Sequence, residues 1–156
     1  MNTEYLKNIS NFFVAGINYK KSDACVRGQF AIATEQYTNI LYKAGAQGLN
    51  EIFILSTCNR TEIYGFANSS KQLVELLCSE TLGDKETFLQ SSYIKNGIGA
   101  IEHVFNVGAG LDSQILGDYE IVGQLKNVVK FSKEHGFVGA FTERLINCVL
   151  QSSKLI

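Results

Sequence analysis

Short apolar runs alternate with amphipathic stretches over residues 1–96, and from residue 97 onward only the helical period persists. Residues 12–17 (FFVAGI), ending at Asn18, predict a first strand. Ser22 and Asp23 then offer a helix N-cap before a stretch over 24–43, where Phe30, Ala33, Tyr37, Ile40 and Leu41 recur at helical spacing. That spacing predicts one long helix, stopped by Gly45 and Gly48. Runs at 51–55 (EIFIL) and 62–67 (EIYGFA) predict two strands, and the short segment between them favours an antiparallel hairpin. Asn68-Ser69-Ser70 is a capping signal for a helix over 71–80 with Leu73, Leu76 and Leu77 inward. A break at Gly83-Asp84 leads to a last strand over 91–95. Strand, helix, strand, strand, helix, strand is the split βαβ order, a ferredoxin-like sheet with two helices on one face. Helices follow over 99–107, 118–135 and 142–156. The predicted class is therefore α+β, a ferredoxin-like βαββαβ subdomain over 1–96 followed by an all-helical subdomain over 97–156. The last helix carries no stop signal, so a longer protein is expected.

Composition narrows the partners. At 156 residues, 46% apolar and 19% charged, the chain can bury a real core. A net charge of −1 argues against gripping nucleic acid by charge alone. Neither an apolar run of membrane-spanning length nor a signal-peptide pattern is visible, so a cytoplasmic protein is expected. Cys25, Cys58, Cys78 and Cys148 are irregularly spaced, with no C-x-x-C and no Cys/His cluster. No metal site is expected from that spacing. Cys25 and Cys78 fall within predicted helices and read as packing residues.

Cys58 is different, because the loop STCNRTE puts it at a hairpin tip. It is either an incidental surface cysteine or a nucleophile, and a thiol attacks only as thiolate, which needs a positive or hydrogen-bonding environment. Arg60, two residues on, is by default a solvated surface arginine; as a functional residue its fork holds a carboxylate. Thr57 and Asn59 are turn residues first, Asn59 suiting a left-handed position. His103 lies on a predicted helix beside Ile101 and Phe105 and reads as a satisfied, partly buried histidine. Residues 107–118 (VGAGLDSQILGD) imitate a phosphate loop but follow a helix, lacking the strand a dinucleotide fingerprint requires. There Asp112 and Ser113 read as loop and cap residues, and Gln124 as a helix-surface amide.

Together STCNRTEIY, the histidine of IEHVF and GLDSQILGDYEIVGQLK resemble the N-terminal catalytic domain of the glutamyl-tRNA reductases, over essentially the whole chain. The resemblance implies an enzyme of tetrapyrrole (porphyrin) biosynthesis. Its cysteine takes the glutamyl group from glutamyl-tRNA as a thioester, which NADPH reduces to glutamate-1-semialdehyde. By position it makes Cys58 the nucleophile and His103 an active-site residue that orients or polarises the reacting carbonyl. Thr57, Asn59 and Arg60 would line the glutamate pocket, with Arg60 on the substrate's free carboxylate. Ser113, Asp118, Tyr119, Glu120 and Gln124 would be further substrate contacts. Where the family often has Glu-Pro-Gln this chain has Asp118-Tyr119-Glu120, an acid in place of an amide. The resemblance also implies an NADPH-binding domain and a dimerising segment beyond this chain, a homodimer in the full-length protein, and the next pathway enzyme, an aminomutase, as a partner. The fragment alone is then expected to perform only acyl transfer or esterase chemistry. Two other readings compete: a non-catalytic ligand-binding or regulatory module, and a cysteine hydrolase using Cys58 and His103.

Overall fold

In the computed structural model, residues 8–112 and 120–154 are described. β1 (Phe12–Asn18) is followed by α1 (Ala24–Gln29) and α2 (Thr34–Ala46), then by β2 (Ile52–Ser56) and β3 (Arg60–Phe66). α3 (Ser70–Cys78), α4 (Lys85–Ser91) and β4 (Tyr93–Asn96) complete the first part. α5 (Ile98–Gly108), α6 (described over Glu120–Glu134) and α7 (Ala140–Ser153) complete the second. The strands form one antiparallel sheet in the order β2-β3-β1-β4, the ferredoxin-like arrangement.

Alternation along the strands gives the sheet two apolar faces. Ala15, Ile17, Ile52, Ile54 and Ile63 point to one side, where Tyr37, Ile40 and Leu41 of α2 and Leu73, Val74 and Leu77 of α3 cover them. Phe12, Val14, Phe53, Leu55, Tyr64 and Phe66 point to the other, where Val104 and Val107 of α5, Leu125 of α6 and Leu145 and Val149 of α7 pack. The all-helical part thus buries the sheet's second face, so β1, β2 and β3 are covered on both sides, while the edge strand β4 stays largely exposed. Glu51, immediately before β2, is buried, and its carboxylate accepts from Gly139 N–H at 3.1 Å, Thr142 N–H at 3.2 Å and Thr142 Oγ1 at 2.9 Å. It satisfies donors that the glycine at the N-cap of α7 cannot.

The single helix expected over 24–43 is two. The Gln29 carbonyl accepts from Leu82 and Gly83 N–H at 3.1 and 3.0 Å instead of continuing the helix. Ile32 N–H donates to Ser56 Oγ at 3.0 Å, and Phe30 turns inward to meet Phe88 edge-on. These long-range contacts pull residues 30–33 out of the helical path. α4 fills what read as a simple break: Asp84 caps it, accepting from Thr87 N–H at 2.8 Å, and Phe88 is buried. Cys25 is exposed rather than packed, and Cys78 is half-buried at the edge of the first core.

Candidate active site

Ser56 and Thr61 form the last pair of the β2–β3 hairpin, and their hydroxyls meet at 3.1 Å. Thr57 N–H donates to the Arg60 carbonyl at 2.8 Å, and Thr57 Oγ1 accepts from Asn59 N–H at 3.1 Å. This side-chain turn replaces the left-handed residue expected at Asn59. Among the described residues only glycines have positive φ. Two outside contacts hold the tip: Tyr19 N–H donates to the Asn59 carbonyl at 3.0 Å, and Arg27 Nε to the Cys58 carbonyl at 3.2 Å. The Cys58 side chain is exposed on this braced turn.

Beneath the loop, β3 carries Arg60 and Glu62 toward the α5–α7 face, and both are buried against expectation for an arginine two residues from a loop tip. Glu62 Oε1 accepts from the Tyr64 hydroxyl at 2.7 Å, and Oε2 from the Tyr93 hydroxyl at 2.5 Å. Oε2 also meets His103 Nε2 in a short hydrogen bond, with Arg60 Nη1 at 3.5 Å. Arg60 Nη1 lies 2.8 Å from Asp112 Oδ2, and its Nη2 donates to the Asp112 carbonyl. Lys20 Nζ reaches the other oxygen of Asp112 at 2.8 Å.

Burial alone would raise the Glu62 carboxyl, but the hydrogen bond from His103, with Arg60 and Tyr93, holds it below the usual carboxylate range. Asp112 is likewise lowered, Lys20 and Arg60 overcoming its burial. Burial and then Glu62 push the Tyr93 and Tyr64 hydroxyls well up, so both remain donors. Arg60 stays charged, since Glu62 and Asp112 outweigh its desolvation. Because an ionised carboxylate only accepts, His103 carries its proton on Nε2.

Thr57, Cys58, Asn59 and Arg60 face Glu120, Ile121 and Gln124 of α6 across a cavity of about 80 Å3. Six of the ten expected site residues therefore meet in one place, beginning with Cys58. His103 lies behind them, 4% exposed, and does not line the cavity. Among the described residues no hydrogen bond joins Cys58 to His103. Ser113, Asp118 and Tyr119 lie outside the described residues. Of the other thiols, Cys78 is pushed up to about 11 by burial and then Asp84, leaving almost no thiolate at neutral pH.

Glu62, Tyr93, Arg27, Lys20 and the role of Asp112 were not singled out by sequence reasoning. For Glu62 a signal existed: with Tyr64 facing the core, period two puts Glu62 and Arg60 on the same face. Gly16 is a second signal. It lies in register with both Glu62 and Tyr93, and a Cβ there would sit 2.7 Å from Glu62 Cγ and 3.0 Å from the Tyr93 hydroxyl. Its missing side chain lets Tyr93 reach across β1 to Glu62. Arg27 and Lys20 carry no such signal, as their partners are distant in sequence.

No group of three or more His, Cys, Asp and Glu side chains among the described residues is arranged to hold a metal ion. Every pair of neighbouring strands is antiparallel, so the described residues form no βαβ unit of adjacent parallel strands and do not fit a dinucleotide such as NADPH. No helix of the described residues is long and apolar enough to cross a membrane.

The α+β fold thus displays an exposed thiol on a braced hairpin above a desolvated charge cluster. Residues 15–156 match the family model "Glutamyl-tRNAGlu reductase, N-terminal domain". The chain is 47% identical over its full length to a glutamyl-tRNA reductase of Christiangramia forsetii, of which that stretch is 37%. It is 45% identical over 94% of its length to glutamyl-tRNA reductase 2 of Flavobacterium johnsoniae, 34% of that protein. A solved glutamyl-tRNA reductase from Methanopyrus kandleri superposes with a TM-score of 0.77 over 94% of this chain and 34% of its own, at 19% identity, a likeness of fold. The chain belongs to the glutamyl-tRNA reductase N-terminal domain family, and spans about a third of the length of these relatives.

Proposed function

We propose that this chain is the acyl-accepting part of a glutamyl-tRNA reductase acting in tetrapyrrole biosynthesis. The observation that carries the reading is the exposed Cys58, sharing one cavity with Arg60, Glu120 and Gln124. The Cys58 thiolate attacks the carbonyl carbon of the glutamyl ester. A carbon–sulfur bond forms, the carbon–oxygen bond to the tRNA ribose breaks, and the ribose oxygen leaves and takes up a proton. Bracing of Cys58 and Arg60 on one turn fixes the distance between attack and recognition, which is where orientation lowers a barrier. Pockets that enclose a drug-sized ligand measure roughly 300–1,000 Å3. The cavity of about 80 Å3 is far below that range, so the body of the tRNA stays outside it.

Arg60 recognises the free carboxylate, with Asp112 as its counter-ion until the substrate arrives. Thr57, Asn59 and Gln124 supply polar contacts, and Ser113, Asp118 and Tyr119 belong to the same proposed glutamate pocket. Glu120 at its edge puts negative charge opposite Arg60 and disfavours a second anion. His103 acts from behind, as a positioning residue. NADPH would supply hydride to the resulting thioester from a dinucleotide site these residues do not form. The fragment therefore captures, and slowly hydrolyses, the glutamyl group. A homodimer, hand-over to an aminomutase and a cytoplasmic location, which suits four free thiols, belong to the same family reading of the whole protein.

Incubation with glutamyl-tRNA labelled in the glutamyl group tests this. The chain should retain acid-stable label, and Cys58→Ser should retain none. Equal labelling of Cys58→Ser would overturn the assignment.

A further inference from the structure

Glu62 is the most completely enclosed charge in the described structure: its side chain is 0% exposed. Its four polar neighbours come from three elements, Arg60 and Tyr64 on β3, Tyr93 on β4 and His103 on α5. A carboxylate in such a place is weak evidence of a device for stability, because ion clusters of this kind are often replaced by apolar side chains without loss. What it does supply is orientation. Its Oε2 receives both the Tyr93 hydroxyl and His103 Nε2, fixing the imidazole's tautomer and plane, and the same oxygen lies beside Arg60 Nη1. Arg60 in turn lines the cavity beside Cys58.

We propose that Glu62 is the positioning residue of the acyl-transfer site, locking Arg60 and His103 together beneath Cys58 without touching substrate. The proposal rests on the acyl-transfer reading above. Glu62 accomplishes this because β3 begins at the turn that carries Cys58 and reaches α5 through the Glu62–His103 hydrogen bond. Gly16 keeps the path to Tyr93 open. Partners behind a reacting group typically cost about 10–100-fold in activity when removed, as outer-shell partners of metal ligands do.

Glu62→Gln is the direct test. The glutamine can leave its oxygen to Tyr93 and His103 and give its amide to Tyr64, whose hydroxyl also accepts, so shape is kept and charge is lost. Single-turnover acylation of Cys58 by labelled glutamyl-tRNA is followed as a function of substrate concentration, beside the 15N–1H signal of the His103 ring. Glu62→Gln should lower the saturating rate about 10–100-fold and shift the His103 signal. Tyr93→Phe, which removes one donor and keeps the carboxylate, should give a smaller loss of the same kind and covers the case that Glu62→Gln fails to fold. Wild-type rates and an unmoved ring signal in either folded variant would overturn the role of Glu62. A wild-type chain that takes up no label would overturn the acyl-transfer reading and this role with it.

Discussion

Asp112 holds Arg60 and Lys20 with its two carboxylate oxygens, each at 2.8 Å, so the arginine beside Cys58 is already charge-compensated. Both this carboxylate and Glu62 have folded-state values below those of free side chains. A depressed carboxyl contributes stability that is present above the unfolded value and lost as pH falls through the folded one. The melting temperature should therefore hold at neutral pH and fall once pH drops below about 4, the ordinary carboxyl range. Asp112→Asn and Glu62→Gln should each make that fall shallower. Melting curves from pH 7 to pH 2 on the three proteins check this, and parallel curves would contradict it.

Arg27 braces the loop from outside, with Nε on the Cys58 carbonyl and Nη1 on the Ser22 carbonyl at 2.5 Å. A hydrogen bond of this kind contributes about 0.5–1.5 kcal/mol net. Arg27→Ala should accordingly slow Cys58 acylation by about two- to tenfold and lower the melting temperature by about 2–4 °C for each kcal/mol lost. Stopped-flow or quench measurement of the acylation rate, paired with a melt, separates the two effects.

Gly16 is where strand geometry and site chemistry meet. A methyl there would press on Glu62 Cγ at 2.7 Å and on the Thr61 carbonyl at 3.0 Å. Overpacking of this sort costs about 1–3 kcal/mol. In a chain of this size each kcal/mol lowers the melting temperature by about 2–4 °C. Gly16→Ala should therefore melt several degrees early and lose the Tyr93–Glu62 hydrogen bond. Calorimetry and the tyrosine ultraviolet spectrum report the two losses separately.

The strand pattern was legible because burial on both faces leaves strongly apolar runs: residues 12–17 and 51–55 were placed to within a residue or two. The continuous helix over 24–43 was not what forms, because local periodicity cannot register that Leu82 and Gly83 take the Gln29 carbonyl. The turn that carries Cys58 was legible as a motif, since the thiol and its turn residues are contiguous in sequence. The charge cluster was not, because Arg60, Asp112, His103 and Lys20 come together only through the sheet order and the approach of α5. Arg60 shows the limit most plainly: two residues from an exposed thiol, it is 1% exposed.

Four free thiols make the chain its own control for the central claim that Cys58 alone accepts the glutamyl group. The decisive measurement is peptide mass mapping of the wild-type chain after brief exposure to glutamyl-tRNA, with and without hydroxylamine. A single hydroxylamine-labile glutamyl mass on the peptide carrying Cys58 is the predicted result. The same adduct spread over Cys25 and Cys148, or found on neither those nor Cys58, would contradict the account.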